Sequence, residues 1–395
     1  MSEAIGDLKP PERILLGPGP SNVHPRVLKA LSTPVVGHLD PAFLSIMDDT
    51  MGLLRAVFKT ENRLTIPISG TGSAGMEAAL GNMIEPGDTV VIGVNGLFGE
   101  RMSDVSSRYG AQVISVPGDW GRPLDPGPFK KVLASQKRVK LAAVVHGETS
   151  TGVRQPVEEI GSIAKQHDAL FLVDTVTSLA GVDVRVDDWG IDICYSGTQK
   201  CLSCPPGLAP ITLSDAAVKV LTSRRSKVQS WYLDLTMIQK YWGSDRVYHH
   251  TAPISMVYAL REALRLVVEE GLEKRFARHH RNSEALRFGV KALGLKLLVP
   301  PGFELDPLTT VLLPDGVQDL PVRQTLLNEF GIEVGGGLGP LKGKVWRIGL
   351  MGHSSTPGNV FTLLSALERV LPRHGFEVAR GRSLDAAQSA YDLPG

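Results

Sequence analysis

Short apolar runs alternate with helix-length stretches from about residue 60 to residue 200, and this alternation limits the folds that the chain can adopt. Most of the runs are continuously apolar, as is typical of strands covered on both faces. The runs are Leu64–Ser69, Thr89–Val94, Gln112–Val116, Leu141–Val145, Ala169–Val173 and Ile191–Tyr195. Between them, stretches such as Gly99–Arg108 and Val157–Gln166 have the length of helices. The pattern predicts an α/β fold with a mostly parallel sheet.

The second half of the chain has a different pattern. Ser255–Leu293 carries apolar residues at helical spacing with charges between them, which predicts one or two long amphipathic helices. Shorter strands follow, with helices at Leu320–Phe330 and Asn359–Arg373. We interpret the glycine-rich Gly335–Lys344 as a flexible turn and the polar Ala379–Gly395 as a frayed tail.

The length of 395 residues is enough for two or three domains at roughly 150 residues each. We therefore predict an N-terminal arm over residues 1–14, a large domain over 15–268 and a smaller C-terminal α+β domain over 269–395. With 42 Lys and Arg against 41 Asp and Glu, the net charge is +1, which argues against nucleic acid or an anionic membrane as the main partner. We found neither a membrane-length apolar run nor a signal-peptide pattern, so a cytoplasmic location is expected.

The three cysteines lie within one short stretch, at Cys194, Cys201 and Cys204. Cys201 and Cys204 form a lone C-x-x-C pair without the two further ligands of a zinc site, so we interpret them as residues of a tight turn, with redox use as the alternative. We also interpret His249 and His250 as neighbours in a strand, which would point their rings to opposite faces. No metal site is therefore predicted.

A glycine-rich segment, Ser69–Gly75, joins the first strand to a helix. Small residues at a helix N-terminus let backbone N–H groups approach an anion, so the segment predicts a phosphate site. Gly70, Gly72 and Gly75 also satisfy the dinucleotide pattern of an NAD-dependent dehydrogenase. That reading is disfavoured because the next strand ends at Val94-Asn95 without the carboxylate that would hold a ribose, and a plain structural turn is the other alternative.

Asp174 and Lys200 follow two strands of the predicted sheet, at the edge where such sheets place their ligands. A buried carboxylate there needs a cation or a strong donor. Pyridoxal phosphate requires a lysine for the Schiff base, a carboxylate at the pyridine nitrogen and a helix N-terminus for the phosphate. The two residues and the glycine segment together indicate a site for that cofactor.

The chain resembles the fold type I pyridoxal-phosphate enzymes of the class V aminotransferase group, and more narrowly the alanine–glyoxylate and serine–pyruvate aminotransferases. The matching segments occur in the family's order along nearly the whole chain. They are Leu16–Asn22, Ser69–Ser73, Asn95–Gly99, His146–Gly152, Val173–Asp174, Tyr195–Lys200, Pro205–Gly207, Tyr248–Thr251 and Gly343–Gly349. The resemblance implies a large domain with a mostly parallel sheet of the seven-stranded type, a smaller C-terminal domain and pyridoxal 5′-phosphate as cofactor.

The resemblance also implies roles for single residues. Lys200 matches the Schiff-base lysine, which also moves the proton between substrate and cofactor, and Asp174 matches the carboxylate at the pyridine nitrogen. The remaining matches at the cofactor are Thr71, Gly72 and Ser73 as the phosphate cradle, Gln199 beside it, Thr149 near the ring oxygen, and Phe98 where the family commonly stacks a Trp.

Other matches concern the substrate and a second subunit. Arg347 matches the arginine that forms a bidentate pair with the substrate carboxylate. Gly19 and Thr149 are further substrate-binding positions. Tyr248 and Thr251 match residues that reach the phosphate from the neighbouring subunit, which implies a homodimer with shared active sites and the arm at its interface.

The implied reaction is ping-pong transfer of an amino group from L-alanine or L-serine to glyoxylate or pyruvate. Serine–glyoxylate and 3-hydroxykynurenine transaminases share the motifs and remain alternatives. A cysteine desulfurase would need a nucleophilic cysteine on a mobile loop, yet no cysteine follows Cys204. A non-catalytic protein would be expected to lose Lys200 or Asp174.

Overall fold

The computed structural model describes residues 6–393. The helices are α1 (Pro25–Leu31), α2 (Pro41–Phe58), α3 (Gly72–Met83), α4 (Leu97–Arg108), α5 (Pro126–Ser135), α6 (Glu158–Gln166), α7 (Asp215–Thr222), α8 (Leu235–Trp242), α9 (Ile254–Glu270), α10 (Leu272–Ala292), α11 (Asp319–Phe330), α12 (Pro357–Val370) and α13 (Arg382–Asp392). The strands are β1 (Ile14–Leu15), β2 (Leu64–Ser69), β3 (Thr89–Val94), β4 (Gln112–Pro117), β5 (Leu141–Val145), β6 (Gly147–Glu148), β7 (Val153–Arg154), β8 (Leu170–Asp174), β9 (Ile193–Tyr195), β10 (Leu208–Leu213), β11 (Lys296–Leu297), β12 (Leu308–Leu312), β13 (Ile332–Glu333), β14 (Gly335–Gly336) and β15 (Val345–Gly349).

A seven-stranded sheet organises the first part of the chain. Its order is β2-β10-β9-β8-β5-β3-β4, and all neighbours are parallel except β10, which runs antiparallel to β2 and β9. Every strand predicted between residues 60 and 200 is present within two residues of its expected bounds, which confirms the α/β class. Because β8 and β9 are parallel neighbours, their carboxyl ends bring Asp174 opposite Tyr195.

Strand β10 was not identified from the sequence. It contains Pro210, a residue that argues against a central strand because it lacks the N–H needed by a ladder. In the structure, Pro210 lies directly opposite Pro67 of β2, so the two prolines share one register position. The Pro210 carbonyl still accepts a hydrogen bond from the Ser196 N–H at 2.8 Å, so β10 remains joined to the loop that leads to Lys200.

The second part of the chain contains a four-stranded antiparallel sheet, β11-β12-β15-β14, covered by helices. The interpretation of Gly335–Lys344 as a flexible turn was wrong in part, because Gly335 and Gly336 form β14 and pair with Arg347 and Trp346. The frayed tail was also wrong over the described residues. Helix α13 packs against α10 and α12, where Ala387 is fully buried; residues 394–395 lie outside the described part of the chain.

Two large clusters of buried apolar residues form the core. One surrounds the seven-stranded sheet and extends through Val267 of α9, whereas the other includes Leu286 of α10, Trp346 of β15 and Leu363 of α12. Leu16 belongs to the second cluster because β1 pairs with β13. The division into residues 15–268 and 269–395 stays a prediction. Of the predicted arm, residues 1–5 lie outside the described chain.

Candidate active site

Lys200 and Asp174 lie at the carboxyl edge of the seven-stranded sheet, and both are buried, with 8% and 2% of their surface exposed. Burial first, and then the nearby Arg347 cation, lower the pKa of Lys200 from 10.5 to about 8, against the opposing effect of Asp174. Burial raises the pKa of Asp174 to about 6. A lysine with a depressed pKa beside a carboxylate is typical of a catalytic site.

Asp174 receives two hydrogen bonds. The Tyr195 hydroxyl donates to Oδ2 at 2.7 Å, and the Val176 N–H donates to Oδ1 at 2.8 Å. Both bonds stabilise the carboxylate and oppose the rise in its pKa. Tyr195 had no role in the sequence analysis, although it is the residue opposite Asp174 in the parallel β8–β9 register, and that pairing is the signal that could have identified it.

Gly19 lies against the Lys200 side chain. Its φ is +108°, in the region that favours glycine, and a Cβ built there would lie 2.7 Å from Lys200 Nζ. The Lys200 ammonium donates to the Pro18 carbonyl, and the Ser21 hydroxyl donates to the Lys200 carbonyl at 2.8 Å. The segment 16–22 therefore covers the lysine, and the positive φ requires glycine at position 19, where a Cβ would also displace the end of the lysine side chain.

The N-terminus of α3 forms an open cradle. Thr71 is the N-cap residue, but its side chain makes no capping hydrogen bond, and Thr71 and Ser73 are exposed. At Gly72 a Cβ would lie 3.2 Å from Val176 Cγ2, so the backbone of the cradle approaches the segment that follows Asp174. Beside it, Gln199 Oε1 is buried and has no hydrogen-bond partner among the described residues. The N–H groups of the cradle suit an anion, whereas the free Gln199 oxygen is an acceptor and requires a donor.

Arg347 of β15 reaches the same region and is 6% exposed. Its Nε donates to the Gly336 carbonyl at 2.8 Å, and its Nη1 donates to the Thr149 carbonyl at 3.0 Å. The Thr149 hydroxyl is hydrogen-bonded to that of Thr177, three residues after Asp174. The predicted residues Arg347 and Thr149 are thus in direct contact, and strand β14 supplies one of the two carbonyls that orient the guanidinium.

Glu148 is a second buried carboxyl group that the sequence analysis left without a role. It accepts hydrogen bonds from Ser150 Oγ at 2.5 Å, from Ser150 N at 3.0 Å and from Phe98 N at 3.2 Å. Burial raises its pKa to about 7. Glu148 joins the β6–β7 hairpin to the first turn of α4, and Phe98 in that turn is half-buried, with the Arg101 guanidinium 4.9 Å from its ring.

Tyr248 and Thr251 are exposed within the single chain, and their hydroxyls lie 3.5 Å apart. His249 and His250 do not lie in a strand, and their Nδ1 atoms are 2.8 Å apart, so the interpretation that placed their rings on opposite faces was wrong. The three cysteines are buried free thiols. Over residues 6–393, no group of three or more His, Cys, Asp or Glu residues is arranged to hold a metal ion.

The fold and this arrangement are those of a fold type I pyridoxal-phosphate aminotransferase. The class V aminotransferase family matches residues 15–341, and the chain belongs to it. It is similar to the ureidoglycine–glyoxylate aminotransferase of Bacillus subtilis, with 45% identity, a TM-score of 0.96 and coverage of 98% of this chain and 100% of that one. The alanine–glyoxylate aminotransferase of Nostoc sp. is 52% identical with a TM-score of 0.91, covering 93% and 97% of the two chains. The alanine–glyoxylate aminotransferase of Felis catus is 42% identical over 92% of this chain and 88% of its own.

The family implies pyridoxal phosphate, and the residues present fit it. The uncapped α3 N-terminus leaves backbone N–H donors free at the place where a phosphate would lie. Asp174 is a buried carboxylate that accepts two hydrogen bonds, one from a hydroxyl and one from a backbone N–H. Its oxygens can accept a further hydrogen bond from a protonated ring nitrogen. Among the described residues, no helix is long and apolar enough to cross a membrane.

Replacing Tyr195 by phenylalanine is expected to lower kcat/KM about 10-fold. The change removes a hydrogen bond to a buried carboxylate, a contact worth about 1.5–3 kcal/mol, and so raises the pKa of Asp174 further. Because the ionised form exists above the pKa, the acid limb of the pH profile should move upward by about one unit. Tyr241→Phe is the control, since it removes a hydroxyl that donates to the His38 carbonyl instead. Equal profiles for the two variants would contradict the role of Tyr195.

Proposed function

We propose that the chain is an aminotransferase that uses pyridoxal phosphate to transfer the amino group of L-alanine or L-serine to glyoxylate or pyruvate. The observation that carries the proposal is the convergence of Lys200, Asp174 and Arg347 at one sheet edge, next to the uncapped N-terminus of α3. The names of the relatives support glyoxylate as the acceptor, because the enzymes of Bacillus subtilis, Nostoc sp. and Felis catus all carry it in their names.

When bound, pyridoxal phosphate supplies an aldehyde that combines with amines and a ring that accepts the electron pair left when Cα loses a proton. Lys200 would hold the cofactor and then, released by the amino donor, would use its neutral Nζ to take the proton from the substrate Cα. Its depressed pKa favours this, since a larger share of the amine is neutral near pH 7. Asp174 would hold the proton on the ring nitrogen, and the Tyr195 hydroxyl orients that carboxylate.

The other residues would bind and orient the two ligands. Thr71, Gly72, Ser73 and Gln199 would hold the phosphate through the α3 N-terminus and an amide. Phe98 would pack on the ring, with Glu148 fixing the helix turn that carries it. The substrate would be bound by other residues. Arg347 would pair with the substrate carboxylate, and the Thr149 carbonyl orients the arginine. Gly19 leaves space beside Lys200.

We also propose that the enzyme is a homodimer in which Tyr248 and Thr251 reach the partner's phosphate site. Exposed aromatic and aliphatic side chains surround these residues: 58% of Trp231, 45% of Tyr232 and 52% of Val247 are exposed. Such a patch on one face is typical of an interaction surface. The arm over 1–14 would lie at the same interface. The domain boundary near residue 268 and the cytoplasmic location stay predictions.

A donor and acceptor matrix tests the substrate assignment. The purified enzyme, loaded with pyridoxal phosphate, is given each amino acid alone, and release of the matching 2-oxo acid is measured before an acceptor is added. Alanine and serine should each release one equivalent, and glyoxylate or pyruvate should then restore turnover. If only (S)-ureidoglycine reacts, the activity named for the Bacillus subtilis relative replaces the proposal. A response to 3-hydroxykynurenine alone, or to serine with glyoxylate alone, would favour those alternatives.

A further inference from the structure

His249 and His250 form a chain of hydrogen bonds that ends at the phosphate cradle. His249 Nε2 lies 3.2 Å from the Trp231 carbonyl, the two Nδ1 atoms are 2.8 Å apart, and His250 Nε2 lies 2.7 Å from Ser69 Oγ. Ser69 is the last residue of β2 and directly precedes Gly70-Thr71-Gly72. This chain of hydrogen bonds, which we call the relay, therefore joins a surface segment to the start of the cradle.

The Trp231 carbonyl, at one end of the relay, determines which nitrogen of each histidine carries the proton. A carbonyl oxygen only accepts, so His249 must carry its proton on Nε2. In a neutral imidazole the other nitrogen is then an acceptor, which requires His250 to carry its proton on Nδ1. His250 Nε2 is left as an acceptor, so the Ser69 hydroxyl donates to it.

The groups around the pair favour the neutral form of His250. Trp231 stacks on His249 at 4.4 Å between ring centres, and the rings of Tyr232 and Tyr241 lie 5.0 Å and 6.4 Å from that of His250. Burial lowers the pKa of His250, and the neighbouring His249 lowers it further. A proton added at His249 Nδ1 would put two N–H groups face to face across the 2.8 Å contact, whereas one added at His250 Nε2 would reverse the direction of the Ser69 bond.

The pair also anchors the residues on either side of it. We define residues 247–251 as the histidine segment. Within the described chain, the side-chain hydrogen bonds from this segment to other elements run through His249 and His250, whereas Tyr248 and Thr251 bond only with each other. The histidine pair thus provides the side-chain hydrogen bonds that hold the segment, in addition to the Val247 N–H bond to the Lys240 carbonyl at 3.2 Å and the His38 ring 5.1 Å from that of Tyr248.

We propose that His249 and His250 are positioning residues that hold Ser69 and the histidine segment in register, so that each subunit couples its own phosphate cradle to the residues it offers to its partner. This inference rests on the proposed function, since it takes Tyr248 and Thr251 as ligands of the partner's cofactor phosphate. The two histidines are not placed at Lys200 Nζ or at the substrate Cα, and they act through Ser69, Tyr248 and Thr251.

Two conservative variants separate the two ends of the relay. In His250→Asn the amide nitrogen stands where Nδ1 stood, so the donor to His249 is kept and the acceptor for Ser69 is lost. In His250→Gln the longer side chain places its oxygen near the Nε2 position, so the acceptor for Ser69 is kept and the link to His249 is lost. Each is expected to weaken pyridoxal-phosphate binding about 3- to 10-fold, the effect of one hydrogen bond. His167→Gln, at the end of α6, is the matched control and should bind as the parent does.

Combining these variants with Ser69→Ala tests the relay itself. In equilibrium dialysis of the full-length protein, Ser69→Ala should cost about 3- to 10-fold in the parent and in His250→Gln, but nothing further in His250→Asn, where the Ser69 bond is already absent. Equal costs of Ser69→Ala in both His250 backgrounds would overturn the proposal.

The tautomers provide a readout that needs no cofactor. With ¹⁵N-labelled histidine, His249 should be protonated at Nε2 and His250 at Nδ1, and finding His250 protonated at Nε2 at pH 7.5 would overturn the relay. The dimer assignment is tested separately. If Tyr248→Phe and Thr251→Ala leave cofactor affinity unchanged while the tautomers are as stated, the proposed contact with the partner's phosphate fails and the positioning of Ser69 stands.

Discussion

Replacing Lys200 by alanine is expected to reduce transamination by about 10⁴-fold while the protein remains folded. The side chain would provide both the covalent attachment of the cofactor and the base at the substrate Cα, and general acid–base catalysis by one positioned group contributes about 10²–10⁴-fold. Lys200→Arg should be equally inactive, because a guanidinium keeps its proton at any physiological pH. Lys130→Ala, on the exposed side of α5, is the control and should retain parent activity.

The same lysine sets the pH at which the apoenzyme takes up its cofactor. Only the neutral amine attacks an aldehyde, so the rate should rise with pH through about 8 and then level off. An ordinary lysine, with a pKa near 10.5, would give a rate that continues to rise beyond pH 10. After borohydride reduction, peptide mapping should place the added mass on Lys200. Mass on another lysine, or full activity in Lys200→Ala, would contradict the assignment.

The strands that carry the site were predictable because their sequences have few alternatives. Runs such as Leu141–Val145 are continuously apolar and shorter than an average helix, and a sheet covered on both faces buries them completely. Once β8 and β9 are placed side by side, Asp174 and the loop leading to Lys200 must lie at one edge. The cradle was predictable for a similar reason, since its glycines precede a helical pattern.

The parts that were missed depend on contacts between distant segments. Pro210 is compatible with β10 because its carbonyl accepts from the Ser196 N–H just beyond the end of β9, a contact that cannot be deduced from the strand itself. Helix α13 has a polar sequence, yet its small residues pack on α10, so its order comes from a surface more than 90 residues away along the chain. Local alternation predicts that the rings of the histidine pair lie on opposite faces of a strand, whereas the backbone there forms a loop that brings the two rings together.

Glu148 and Gly336 illustrate the same limit inside the site. The sequence identified Arg347 as a carboxylate-binding residue, but its orientation depends on two backbone carbonyls, at Thr149 and Gly336, which no side-chain pattern specifies. The buried Glu148 lies near this guanidinium and partly offsets the effect of burial on the arginine pKa, which falls to about 10. The arginine therefore stays protonated at neutral pH. Its charge and its direction are both set by neighbours that are far apart in sequence.

Replacing Arg347 by glutamine is expected to lower kcat/KM for alanine about 10³-fold, and replacement by lysine about 10²-fold. Two of the five guanidinium N–H groups are held by carbonyls, which leaves one N–H on Nη1 and two on Nη2 for a carboxylate. Loss of two charge-assisted hydrogen bonds, at about 1.5–3 kcal/mol each, gives an effect of this size. Lysine keeps the charge but not the planar fork, so it should recover only part of the activity.

A substrate without the carboxylate separates this role from a general loss of structure. The parent should prefer alanine to alaninamide strongly, whereas Arg347→Gln should use the two with similar kcat/KM, because the variant lacks the group that distinguishes them. Arg323→Lys is the matched control: Arg323 lies near Arg347, but it donates to both oxygens of Asp319, at 2.6 and 2.9 Å, so the preference of that variant should equal the parent's. Retention of both the parent preference and the parent activity in Arg347→Gln would show that the substrate carboxylate binds elsewhere. A drop in activity that is equal for alanine and alaninamide would assign Arg347 to the electrostatics of Lys200 instead, because the arginine cation also lowers the pKa of that lysine.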